Sequence, residues 1–162
     1  MRRLALSAAL LLASATTALA APATVTVSVA PELQKTFDKT YGAREASALT
    51  ADLKASVEKT LARSKAHEGA RIELILTDAK PNRPTFKQLG DKPGLSMESF
   101  GVGGAAIKGK IISADGTEKP LSYRWYETDI RQASNSWIWS DAEWTFDRFA
   151  RRLVRDAEMA QR

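Results

Sequence analysis

Apolar and polar residues alternate along Thr24 to Val29, TVTVSV, with Val25, Val27 and Val29 on one side and Thr24, Thr26 and Ser28 on the other. A period of two belongs to a strand with one buried face. From Arg44 to Ser64 the period lengthens. Leu49, Leu53, Val57 and Leu61 recur at every fourth position with Ala46 and Thr50 beside them, which predicts an amphipathic helix. Arg71 to Asp78 returns to alternation, Ile72, Leu74 and Leu76 against Glu73 and Thr77, and predicts a second strand. Strand, helix and strand in succession favour a right-handed crossover, with the two strands parallel and, if no other lies between them, adjacent. Before the long helix, Leu33, Phe37 and Tyr41 follow Pro31 at four-residue spacing, the pattern of a short helix that breaks at Tyr41-Gly42.

Phe100 to Thr128 reads as a long β-hairpin. Ala105, Ile107, Gly109 and Ile111 share one face going in, and Leu121, Tyr123 and Trp125 alternate with Ser122, Arg124 and Tyr126 coming back. A two-residue turn on Asp115-Gly116 puts the apolar rows on opposite faces. A three-residue loop of Ala114, Asp115 and Gly116 brings them together, pairing Gly109 with Leu121 and Ile107 with Tyr123. The small inner face at Gly109 leaves room for a helix to approach. Upstream, Phe100 and Val102 fall in phase with Lys108 instead of Ile107, which predicts a bulge at Gly103-Gly104. A phosphate-cradling loop needs a helix after the glycines, and here strand pattern follows.

The segment 79–97 is a long connection with Pro81-Asn82-Arg83-Pro84 as its densest turn signal. Asp129 to Ser136 is polar and expected to be irregular. Ser140 and Glu143 have the spacing of a capping box for a last helix, and Trp139 and Trp144 that of a hydrophobic staple. Phe146, Phe149, Ala150, Leu153 and Ala157 share that helix's apolar face. The expected fold is α+β: a two-layer sandwich of about four strands in a mixed sheet, with both long helices on one face, in the order β-α-β-β-β-α.

Residues 1–20 change the picture of destination. Arg2 and Arg3, the apolar run Leu4 to Leu12 and the small residues Ala18-Leu19-Ala20 have the layout of a secretory signal peptide cleaved before Ala21. The remaining 142 residues suit a single domain over 21–162, periplasmic or secreted, with no later membrane span. The signal removes two of 24 basic residues and none of 19 acidic ones, leaving a formal charge of +3. So small an excess does not point to nucleic acid. With no cysteine, disulfides, thiolate metal sites and cysteine nucleophiles are excluded.

Candidate chemistry is sparse. His67 is the single histidine, in a polar run at a helix end, so neither a zinc site of the usual kind nor a Ser-His-Asp triad is indicated. No cofactor and no metal site is expected. Asp78, Asp91 and Glu98 are the acids a carboxylate-dependent hydrolase or transferase would draw on. For binding, Asn82 and Arg83 stand between stiffening prolines, either as a turn or as an anion-binding pair. Trp144 and Arg148 share a face of the last helix with Arg151 and Arg155, as an anionic or aromatic partner requires, or form a solvated face. Lys108, Lys110, Ser122, Arg124 and Tyr126 form the outer sheet face, open to water or to a partner.

The segments PNRPT and FGVGGAAIKG, with Trp139, Ala142, Glu143, Phe146, Phe149, Ala150 and Leu153, resemble an uncharacterised group of exported bacterial envelope proteins. The resemblance implies an envelope location and no known activity. The expected function is a non-catalytic binding or accessory module that meets another envelope protein or an anionic envelope component.

Overall fold

A computed structural model describes residues 21–135 and 137–160. Residues 1–20, where a signal peptide is expected, lie outside the described residues, as do Ser136 and residues 161–162. The chain forms β1 (Thr24–Val29), α1 (Pro31–Thr36), a π-helical turn (Phe37–Tyr41) and α2 (Ala43–Ser64). There follow β2 (Arg71–Lys80), α3 (Phe86–Asp91), β3 (Gly104–Ile112), β4 (Glu118–Tyr126), a 3-10 turn (Ile130–Asn135) and α4 (Ser140–Ala160). The four strands form one mixed sheet in the order β1-β2-β3-β4, with β1 parallel to β2 and the other pairs antiparallel. The fold is α+β. Among the described residues no helix is long and apolar enough to cross a membrane.

One face of the sheet carries the core. Val25, Ile72, Leu74, Leu76, Ile107 and Ile111 meet the α2 stripe of Leu49, Leu53, Val57 and Leu61, and the α4 face of Phe146, Phe149, Ala150 and Leu153. Both helices bury one stripe on the same sheet face, as their periods predict. Phe146 is 1 % exposed, and truncating a ring so buried costs about 3–5 kcal/mol. Trp139 does not staple to Trp144. It is buried against Phe37 and Tyr41, at 6.2 and 5.6 Å between centroids, and its Nε1 donates to Glu45 Oε2 at 2.6 Å. That contact ties the start of α4 to the start of α2.

The hairpin has the expected register, with Gly109 opposite Leu121 and Ile107 opposite Tyr123. Its loop closes through Ser113 N–H to the Thr117 carbonyl at 2.9 Å, and Gly116 takes a φ of +85°, where a side chain is strained. At Gly109, however, a Cβ would meet the Glu73 carbonyl oxygen of β2 at 2.1 Å. The glycine thus also makes room for the neighbouring strand's backbone, while α4 packs on β3 as the small inner face allows.

The bulge lies on β2 instead of at Gly103-Gly104. Leu76 is opposite Ile107 and Asp78 is opposite Ala106, so Thr77 has no partner of its own. Thr77 Oγ1 donates to the Ala106 carbonyl at 3.1 Å. The extra residue keeps Leu76 and Ala79 both buried while Asp78 emerges on the outer face. β3 begins only at Gly104, so Phe100 and Val102 precede the strand and their phase says nothing about its faces. The connection after β2 is also shorter than its composition suggests. Thr85 and Gln88 form a capping box at the start of α3, each accepting from the other's backbone N–H.

Candidate functional site

Asn82 follows β2 by two residues and is 1 % exposed. Its N–H donates to the Ile138 carbonyl and its carbonyl accepts from Gly101 N–H, both at 2.7 Å. Its Nδ2 donates to Asp141 Oδ2 at 2.6 Å and to the Gly101 carbonyl at 3.2 Å, and its Oδ1 accepts from Asp141 N–H at 3.0 Å. Gly103 N–H donates to the same Asp141 oxygen at 2.8 Å, and a Cβ on Gly103 would meet Asn82 Oδ1 at 2.7 Å. The three segments that carry the resemblance therefore meet in one buried polar knot. An amide oxygen at a helix start satisfies an N–H that the helix leaves unpaired. Asn82 thus caps α4 from another part of the chain. Ser140 does not take that role: its Oγ accepts from Trp137 N–H at 2.7 Å, and Glu143 N–H bonds the Trp139 carbonyl. The polar atoms of Asn82 are occupied within the fold.

The outer sheet face is open. Across it run the rows Ser28–Ile75–Lys108–Ser122 and Asp78–Ala106–Arg124, with Gly104 opposite Tyr126 at the end. Ile75, Lys108, Ser122 and Arg124 are exposed. Lys108 and Arg124 are diagonal neighbours, close enough for long side chains to act on one ligand. Among the described residues neither has a carboxylate at ion-pair distance, whereas Lys110 is paired with Glu118 at 2.8 Å and Arg71 with Glu73 at 2.9 Å. The Glu118 hydrogen bond holds the Lys110 ammonium protonated above its ordinary range. Thr77, Ala106, Lys108, Ser122 and Arg124 line a depression that also reaches Ile107, Tyr123 and Arg152.

Tyr126 bounds this surface. Gly104 has no side chain where a Cβ would meet the Tyr126 ring at 2.6 Å, so the ring crosses the strand and its hydroxyl donates to Asp78 Oδ2 at 2.5 Å. Burial first, and then the Asp78 hydrogen bond and charge, push the phenol well above its usual range, with Arg124 opposing. Lys108, Arg124 and Tyr126 are therefore brought together on one face. Asp78 was noted in the sequence only as an acid near a loop. The bulge at Thr77 aims it here.

The other candidates lie elsewhere. Arg83 is half-buried, donates Nη1 to the Met97 carbonyl at 2.6 Å and stands 6.0 Å from the Phe100 ring centroid. Arg148 covers Trp125, at 4.2 Å, instead of the indole on its own helix, and Trp144 is 55 % exposed. Cation–π contact of that kind contributes about 0.5–1 kcal/mol and covers part of the edge strand β4. His67 is half-buried, with Nε2 3.3 Å from the Leu153 carbonyl, so it is packed on α4 and not solvated. Asp91 pairs with Lys87 at 2.7 Å, apart from the Asp78–Tyr126 pair. Among the described residues no three acids or histidines are grouped as a metal ion requires. No family model matches the chain, and no curated protein matches it in sequence.

Proposed function

We propose that the chain is exported with cleavage of residues 1–20 and acts in the periplasm, or outside the cell, as a non-catalytic binding or accessory module of the cell envelope. Its partner is an acidic envelope protein or another anionic envelope component, held on the open sheet face. The observation that supports this most is the pair Lys108 and Arg124, exposed on a flat face beside Ile75 and without a carboxylate partner among the described residues. An open face usually balances its charges or shortens its side chains, as Lys110, Glu118 and Glu73 do one row away. Two unbalanced cations next to an apolar residue and a tyrosine edge offer charge steering together with contact area. The carboxylate-enzyme reading lacks such support, because Asp78 and Asp91 are each engaged by a different neighbour.

Binding of this kind is weak and salt-dependent, since exposed charges are screened over a Debye length of about 8–10 Å. The test is crosslinking in intact cells with the parent protein and with the double substitution Lys108→Glu and Arg124→Glu. Loss of the crosslinked species with an unchanged melting curve is the expected result. Equal capture by the charge-reversed protein would place the contact elsewhere. The exported pool should have an intact mass beginning at Ala21. A retained Met1 would contradict export by cleavage.

A further inference from the structure

On the far side of the helical layer a groove of about 400 Å³ opens between α2 and α4, lined by Ser56, Lys59, Thr60, Arg63, Arg151 and Val154. The helices run parallel, as contacts of Glu45 with Trp139, Ser56 with Asp147 and His67 with Leu153 show. Lys59 and Arg63 stand one turn apart on α2, and Arg151 lines the groove from α4. Among the described residues none of the three has a carboxylate at ion-pair distance. Asp147, one turn before Arg151, takes the Ser56 hydroxyl at 2.6 Å instead. Thr60 and Ser64 donate to carbonyls of their own helix, so the charged groups left to meet a ligand are the three cations and the one carboxylate of Asp147.

Compensation of the helix dipoles accounts for Arg63, in the last turn of α2. It does not account for Lys59, or for Arg151 far inside a helix that ends at Ala160, because the effect fades beyond the terminal turn. Like charges at i, i+4 destabilise a helix, so Lys59 and Arg63 carry a repulsion that an anion relieves. Upstream the sign reverses. Glu143 has its carboxyl held above the ordinary range by burial and then by the nearby charges of Asp52 and Asp147. An extended polyanion lying along both helices would meet Asp52, Glu143 and Asp147, whereas a compact anion in the groove meets only Asp147, one oxygen of which is held by Ser56.

We propose that the α2–α4 groove binds a compact phosphate-bearing group, held by Lys59, Arg63 and Arg151. The guanidinium forks suit tetrahedral oxyanions, and a phosphate's second negative charge matches the surplus of cations better than a single carboxylate does. The phosphate can come from a soluble ester or from a lipid headgroup, and the same residues serve either. The site is separate from the sheet face and does not depend on what that face binds.

Titration of the purified protein with inorganic phosphate, against chloride at matched ionic strength, tests the site. Sedimentation with vesicles containing phosphatidic acid, whose headgroup is a phosphomonoester, against pure phosphatidylcholine ones, tests the headgroup source. Phosphate also stabilises proteins by exclusion from their surface, so the substitutions decide. Lys59→Gln with Arg151→Gln should raise the Kd for whichever probe binds by about tenfold or more, and Arg63→Gln alone should weaken it less. Lys108→Glu with Arg124→Glu should leave it unchanged. Binding of vesicles but not free phosphate assigns a headgroup, and the reverse assigns a soluble ester. Equal affinity in the parent and the Lys59/Arg151 protein, or binding of neither probe by the parent, overturns the proposal.

Discussion

Asn82 joins a loop, the approach to β3 and the start of α4 with one side chain, and Asp141 answers it with both its amide and its carboxylate. Replacing Asn82 with Ala leaves the Asp141 N–H uncapped and its buried carboxylate short of a donor. Unsatisfied buried groups cost about 1–3 kcal/mol each, so Asn82→Ala should lower stability by roughly 3 kcal/mol or more in denaturant titration. Ser140→Ala, which loses only the bond from Trp137 N–H, should cost about 1 kcal/mol or less. Similar losses in the two would contradict the cap from Asn82. Tyr126 makes a second residue-scale claim. Its phenol is held protonated above the ordinary value of 10.0, so the folded state keeps a proton that the unfolded chain releases. Stability from this source is present below pH 10 and declines as pH rises further. Tyr126→Phe should flatten part of that alkaline decline while changing stability at pH 7 by only about 1 kcal/mol. An unchanged alkaline limb would contradict it. Tyr41, raised by burial and then by Asp78, and Lys110, raised by its Glu118 hydrogen bond, contribute to the same decline. Neither pairing was legible in the sequence. Asn82 and Asp141 are 59 positions apart and Tyr126 and Asp78 are 48 apart, and single polar contacts leave no period to detect.

The elements themselves were legible where a period ran long enough. The stripe Leu49, Leu53, Val57 and Leu61 is buried throughout, and row parity alone set the hairpin register. Short elements were lost in composition: the prolines around Asn82 drew attention from Thr85 and Gln88, whose spacing is the signal for α3. The glycines mark one site for a bulge, whereas Thr77, an ordinary strand former with no compositional signal, carries it. At this scale α4 begins with a conflict. Glu143 and Asp147 are like charges one turn apart, and desolvation, followed by the charges of Asp52 and Asp147, raises the Glu143 carboxyl above its ordinary value. A raised carboxyl contributes against stability as pH rises through its folded value. Glu143→Gln should therefore stabilise the protein at pH 7 by about 0.2–0.5 kcal/mol. The gain should vanish well below pH 4.5, where the group is protonated in both states. Melting curves at the two pH values check it, and a gain that persists in acid would point to packing instead of charge.

The molecule as a whole presents two unlike surfaces. Its helical side is polarised along α2 and α4, acidic at the start and basic towards the end. Its sheet side is flat, with Ile75 at the centre and the cations Lys108 and Arg124 beside it. Period-two alternation predicts the polar character of that face, but not its lack of a cover, which depends on where α1 and α3 pack. α1 packs on β2 and α3 on the π-helical turn, and among the described residues Ile75, Lys108, Ser122 and Arg124 of the outer rows stay exposed. The proposed role requires that exposed face to meet a partner. The most direct measurement places a photo-crosslinking amino acid at Ser122, exposed on the outer face, and separately at Ala48, exposed on α2, in cells making the exported protein. A defined adduct from Ser122, weakened by added salt, with none from Ala48, is the predicted result. An adduct from Ala48 and none from Ser122 would contradict it.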